Sequence, residues 1–124
     1  MVDATPKPTL LLVDDEDRIL SALRRCLRRE GYEILTADSV ARAFQLLEER
    51  RVDLVLSDQK MPGMSGIDLL REVQRMQPDA ARLLITGWSQ AVTEDDLASA
   101  GIRALIPKPW DDAELKKSLR DALG

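Results

Sequence analysis

Histidine is absent from the chain and cysteine occurs once, as Cys26. Ordinary zinc or haem ligation, a Ser-His or Cys-His nucleophile pair and a histidine general base are all excluded by that shortage. One cysteine also rules out an intramolecular disulfide, and with it a small secreted scaffold. Long apolar runs are missing as well: the longest, Leu10 to Val13, has four residues against the roughly 20 of a membrane-spanning helix. Met1 to Thr9 contains two prolines and an aspartate but no apolar segment, so it does not read as a signal peptide, and the cytoplasm is the expected location. Six glycines and six prolines are too few for a fibrous or linker-like chain.

The remainder is globular in composition, 44% hydrophobic and 32% charged over 124 residues. A chain of this length buries roughly 65 to 70% of its unfolded surface, enough for a core without staples. One domain is expected, with no linker, repeat or low-complexity segment. Eighteen Lys and Arg against 22 Asp and Glu give a net charge of −4, which argues against direct nucleic-acid binding. Any chemistry must run on carboxylates, hydroxyls and lysine.

Apolar runs rich in Leu, Ile and Val alternate with stretches of helical period, the pattern of strand-helix units around a parallel sheet. The strands are predicted at Leu10 to Val13, Glu33 to Ala37, Leu54 to Ser57, Leu83 to Thr86 and Ala104 to Ile106. The second is the most mixed and belongs at an edge, whereas the first, third and fourth read as buried on both faces. Helical faces are marked by Ile19, Leu20, Leu23 and Leu27, by Val40, Ala43, Phe44 and Leu47, by Ile67, Leu70, Val73 and Met76, and by Leu115, Leu119 and Leu123. Asp38 or Ser39, Ser65, and Asp111 or Asp112 are the candidate N-caps, and Pro78 ends the third helix. A short fourth helix, Thr93 to Ala100, has Glu94, Asp95 and Asp96 in its first turn, where the helix dipole favours them, but few apolar anchors.

Open parallel sheets bind ligands at the carboxyl ends of their strands, where strand order reverses. Asp14, Asp15, Glu16 and Asp17 follow the first strand, Asp58 the third, Thr86 closes the fourth and Lys108 follows the fifth. Taken singly, each has a plain reading as a cap, a turn residue or a solvated lysine. Together, at successive strand ends, they make a site. Converging carboxylates call for a cation, and oxygen-only ligands point to Mg2+. A carboxylate can also be the nucleophile that accepts a phosphoryl group, with Lys108 and Thr86 supplying charge and a hydroxyl to its oxygens.

The segments LLLVDDED at Leu10 to Asp17, VLSDQKMPGMSG at Val55 to Gly66, LLITG at Leu83 to Gly87 and PKPW at Pro107 to Trp110 resemble the response regulator receiver domain of two-component signalling. The resemblance implies a flavodoxin-like, doubly wound (βα)5 three-layer sandwich whose five parallel strands run 2-1-3-4-5, with residues 1–8 as an N-terminal extension and 9–124 as the receiver. By the same resemblance Asp58 is the phosphoacceptor. Asp14, Asp15 and Asp58, with the backbone carbonyl of Lys60, hold Mg2+, and Thr86 and Lys108 contact the phosphate. A cis Lys108–Pro109 bond is implied too. The donor would be a phosphohistidine on a sensor histidine kinase or phosphotransfer protein, and the protein would catalyse only its own aspartyl phosphorylation and dephosphorylation.

Two positions depart from the family. Leu105 stands where an aromatic ring usually swings inward as the threonine moves, so Thr86 and Leu105 form the expected switch, acting on the surface of the fourth helix, fifth strand and fifth helix. Gly87 replaces the usual alanine and leaves the phosphate more open to water. Trp88, beside the site, reads either as a packed aromatic or as a gate or partner contact. Arg24, Arg25, Arg28 and Arg29 read either as a solvated face or as a dock for an acidic kinase surface. Arg103, Lys116 and Lys117 opposite Glu94, Asp95 or Asp96 of a second subunit would make a weak, salt-sensitive homodimer.

An aspartate-based phosphohydrolase is the rival enzyme, but Asp15 to Ile19 only approximates its Asp-x-Asp-x-Thr or Val signature. A receiver-like fold working unphosphorylated usually loses a site residue, and none is missing here. The output is either an attached effector domain or a partner of a stand-alone regulator. The wording around Asp58 and Lys108 is similar to receivers joined to cyclic-dinucleotide phosphodiesterases or transcriptional activators.

Overall fold

The computed structural model describes residues 7–87 and 92–124. Among them strands and helices alternate throughout: β1 (Thr9–Val13), α1 (Asp17–Leu27), β2 (Glu33–Ala37), α2 (Val40–Glu49), β3 (Leu54–Asp58), α3 (Gly66–Met76), β4 (Ala81–Gly87), α4 (Glu94–Ala100), β5 (Ile102–Lys108) and α5 (Asp112–Leu123). All neighbouring strands pair in parallel, in the order β2-β1-β3-β4-β5. The predicted doubly wound, flavodoxin-like sheet is the one that forms, with β2 at an edge.

Successive side chains of a strand point to opposite faces, so a strand covered on both sides must be apolar throughout. β1 and β3 are buried along their whole length. Leu10 and Leu12 pack toward α1 and α5 with Leu54, Leu56, Leu83 and Ile85. Leu11 and Val13 pack on the other side with Val55, Leu84 and the inner faces of α2 and α3. Ser39, Ser65 and Asp111 each accept a backbone N–H as N-caps, resolving the two paired alternatives against Asp38 and Asp112.

β4 and β5 extend beyond the predicted runs at both ends. Arg82 breaks the apolar run of β4 in sequence, yet it is buried because its guanidinium donates to the carbonyls of Ala100, Ala80 and Pro78. β5 is the other edge strand, so its outward residues Arg103, Leu105 and Pro107 are exposed and need not be apolar. α3 buries Leu69 beyond its predicted stripe, and α5 buries Ala122 where Leu123 is only partly covered.

α3 is seated against the end of β3. The Gly66 N–H donates to the Gln59 carbonyl (2.9 Å) and the Ile67 N–H to the Gln59 side chain (3.0 Å). A Cβ at Gly66 would overlap the Asp58 carbonyl oxygen and press on Leu84, so only glycine allows this approach. Gly66→Ala is therefore expected to cost about 1 to 3 kcal/mol in urea unfolding, because the clash is with backbone. A loss below about 0.5 kcal/mol would show that α3 shifts freely on the sheet.

Candidate functional site

β1 and β3 are adjacent and paired Val13 to Ser57, so the next residues, Asp14 and Asp58, stand side by side at the strand ends. Asp14 is fully buried and Asp58 is 3% exposed, whereas Asp15 faces solvent. One carboxylate oxygen from each of the three lies within 4.8 Å of the others. From the end of β5, Lys108 Nζ reaches Asp14 Oδ2 (3.3 Å), Asp58 Oδ1 (3.4 Å) and, less closely, Glu16 Oε1 (4.0 Å). The Lys108–Pro109 bond is cis, as the resemblance implied. Asp14 Oδ1 accepts the Glu16 N–H at 2.8 Å, which fixes the carboxylate.

Asp15, Glu16, Asp58, Lys60, Met61, Pro62 and Lys108 line a cleft of about 420 Å³. Thr86 and Leu105 are not on it. They line a neighbouring hollow of about 480 Å³ with Ile106, Pro107, Lys108 and Pro109, so Lys108 belongs to both. Leu105 is 44% exposed and stands out from that hollow. Glu16 was not singled out from the acidic run, and only its approach to Lys108 marks it. Trp88 lies outside the described residues, as do residues 1–6 of the N-terminal extension.

Burial pushes the Asp14 carboxyl above the usual carboxylate range, against the pull of the Glu16 N–H and of Lys108. Burial, then the neighbouring Asp14 charge, does the same to Asp58, with Lys108 opposing. For Lys108 burial disfavours the ammonium, but attraction to Asp14 and Asp58 outweighs it and holds its pKa above the ordinary lysine value. The carboxylates of Asp14, Asp15, Glu16 and Asp58 outnumber the ammonium groups of Lys60 and Lys108 around a partly dry crevice. That all-oxygen donor set fits Mg2+. Cys26, raised to about 11 by burial and then by Asp112, is no nucleophile.

Along α1, its C-cap and the next residue, Arg18, Arg24, Arg25, Arg28 and Arg29 are exposed and have no acidic partner among the described residues. Seven of the eight other arginines donate a hydrogen bond within the chain, and Arg120 pairs with Glu30 at 3.6 Å. Groups expected to face a second subunit are partly engaged at home: Lys116 with Glu30, Lys117 with Asp121, Arg103 with the Ala122 carbonyl, and Asp96 with Thr93 and Arg71.

Residues 10–120 match the family model of the response regulator receiver domain. The hydrogenase transcriptional regulatory protein HoxA of Bradyrhizobium diazoefficiens is 41% identical over 118 residues, 93% of this chain and 24% of HoxA. The sensor kinase CckA of Brucella abortus is 32% identical over 98% of this chain and 13% of its own length. The chain thus spans about a quarter or less of these relatives. Among solved structures, the signal receiver domain of an HD domain-containing protein from Pseudomonas fluorescens superposes with a TM-score of 0.87 at 35% identity, covering 99% of this chain and 91% of that one.

The electrostatics predict how stability follows pH. Folded Asp14 and Asp58 keep protons at pH values where the unfolded chain has lost them, so stability falls as pH rises through that window. The contribution of Lys108 has the usual basic sign: fully present below its unfolded pKa and lost as pH passes its raised folded value. Asp58→Asn should accordingly raise the melting temperature by a few degrees at pH 8 in chelator and much less at pH 4. A variant melting below the wild type at pH 8 would mean that the attraction of Lys108 exceeds the burial penalty.

Proposed function

The chain belongs to the response regulator receiver domain family, and we propose that Asp58 takes a phosphoryl group from a sensor histidine kinase or phosphotransfer protein, with Mg2+ as cofactor. As a signalling module of two-component systems, its own modification is the reaction it promotes. The observation that carries the reading is a buried carboxylate, Asp58, at a parallel strand end with an ammonium 3.4 Å away and two more carboxylates around it.

An Asp58 oxygen attacks phosphorus, a new O–P bond forms, and the donor's bond breaks with its electron pair leaving on the donor. The chain has no histidine, so the phosphohistidine comes from a partner. Lys108, already placed against Asp58, meets the negative charge of one phosphoryl oxygen, and the Thr86 hydroxyl, drawn in from the neighbouring hollow, donates to another. Asp14, Asp15, Asp58 and the Lys60 carbonyl would hold Mg2+. When bound, the ion neutralises the carboxylates and phosphoryl oxygens that otherwise repel the incoming donor. Gly87 leaves the product accessible to water, which favours hydrolysis.

Drawing Thr86 toward the phosphate frees space in the hollow it shares with Leu105. Leu105 fills it, and the α4-β5-α5 surface changes. Arg18, at the cleft end of α1, and the arginines that follow it along the helix and past its C-cap suit an acidic surface on the phosphodonor. A phosphorylated pair of subunits would be weakly held through Arg103, Glu94 and Asp95. HoxA is named as a transcriptional regulator; an attached output domain of that kind, in the cytoplasm, is the proposed context, and this domain itself contacts neither DNA nor membrane. A stand-alone regulator is the alternative.

Acetyl phosphate with Mg2+ should add one acid-stable, base-labile phosphoryl group, seen by intact mass. Asp58→Asn should abolish it, and full labelling of that variant would overturn the assignment. Thr86→Ala should still be labelled. In it, the amide-exchange response of α4 and β5 to beryllofluoride should shrink. A response confined to Asp14, Asp58 and Lys108 in the wild type would leave the proposed switch without a path.

A further inference from the structure

α4 has little apolar hold on the domain: Ala100 is its one buried residue, and Leu97 is only partly covered. It is held instead by two arginines. From α3, Arg71 donates to Ser99 Oγ through Nε (3.0 Å) and Nη2 (2.9 Å), and Nη2 lies 3.5 Å from Asp96 Oδ1. From β4, Arg82 donates through Nε to the Ala100 carbonyl at the helix end (2.8 Å) and through Nη1 to the Ala80 carbonyl (2.8 Å). Gly101, left-handed at φ 62°, lets the chain turn against that guanidinium, since a Cβ there would meet Arg82 Nη2 at 2.6 Å.

We propose that these two arginines form a clamp of unequal halves, in which Arg82 is the fixed pivot of α4 and Arg71 the releasable latch. The difference lies in what each loses by letting go. Arg82 is 9% exposed, and although Nη1 would keep the Ala80 and Pro78 carbonyls, parting from Ala100 leaves its buried Nε without an acceptor and out of reach of water. Arg71 has a second acceptor on its own helix, Asp68 Oδ1, at 2.6 Å, and its side chain is 40% exposed. When α4 moves off, Arg71 keeps that partner and gains water. Exposed pairs of this kind are weak and screened by salt.

The latch is anchored to the chemistry, because α3 is seated against the Asp58 backbone through Gly66 and Gln59. Asp96 also closes the capping box with Thr93, so releasing Arg71 need not unwind the first turn. Both arginines grip the last turn, at Ser99 and Ala100, and Arg71 alone reaches back to Asp96, so its release leaves α4 held at Ala100 and the rest of the helix free to swing at low cost. The capping box keeps it helical as it moves.

Amide exchange of the unmodified, metal-free protein tests this without reference to phosphorylation, so its failure is distinguishable from that of the phosphoacceptor reading. Arg71→Ala should speed exchange of α4 amides by about three- to tenfold while leaving β1 and β3 protected and the melting temperature nearly unchanged. Arg71→Lys, which has one ammonium in place of a fork, should fall between. Added salt should speed α4 exchange in the wild type but not in Arg71→Ala. Arg82→Lys should instead lower the melting temperature of the whole domain. Unchanged α4 exchange in Arg71→Ala, or an increase spread evenly over the domain, would overturn the latch. An Arg82→Lys variant that loosens α4 alone at an unchanged melting temperature would overturn the pivot.

Discussion

Asp14 and Asp58 are held side by side out of water, with a single ammonium, Lys108, between them. Neither carboxylate favours that position: burial disfavours both ionised forms, and a neighbouring carboxylate adds to it, Asp15 for Asp14 and Asp14 for Asp58. They stay because the strands that end in them cannot retreat. β1 and β3 are buried along their whole length, and sliding either outward would bring apolar side chains into water. The parallel order does the rest, joining Lys108 to Asp14 across 94 positions of sequence and to Asp58 across 50. The core is what makes an unfavourable charge arrangement permanent, and a bound cation would relieve it.

The same stress explains the division of labour around the rim. Asp15 is exposed and can meet an ion without distorting the fold, whereas Asp14 is fixed by the Glu16 N–H and by Lys108. Lys108 lines both the carboxylate cleft and the hollow it shares with Leu105. In the proposed switch Leu105 would answer only by packing. It has no polar tip to carry a hydrogen bond outward, so the change it passed on would be one of filled or unfilled volume.

Much of this was legible in the sequence because apolar periodicity and strand-end chemistry are local signals. The second strand is bounded as predicted, Ser65 caps α3 as expected, and the acids after the first and third strands meet in space. Long polar side chains that bond to backbone carry no such period. Arg82 shortened the predicted fourth strand because a buried arginine looks like a break. Gln77, whose amide donates to the Leu47 and Arg50 carbonyls and accepts from Val52, gave no signal at all. Nor does charge patterning show that Lys116, expected opposite the α4 acids of a second subunit, lies 4.0 Å from Glu30 within its own chain. Edge position hid the length of β5, since an edge strand needs apolar residues on fewer positions.

α3 and α4 show how one sheet face can carry both a rigid and a movable helix. α3 buries Ile67, Leu69, Leu70 and Val73, and its first residue fits only as glycine against Asp58. Apolar burial of that extent has no alternative partner in water, so α3 leaves the sheet only when the domain unfolds. α4 exchanges apolar burial for polar bonds, and polar bonds at a surface do have an alternative, because water replaces each at little cost. A helix attached in this way keeps its place without being locked there. Evenness of attachment would defeat the purpose: two loose ends would free the helix altogether, and two buried ends would hold it still. On the proposed clamp, the asymmetry between a buried arginine and a half-exposed one is what would let a small change at Asp58 select between two positions of α4 in an otherwise unyielding fold.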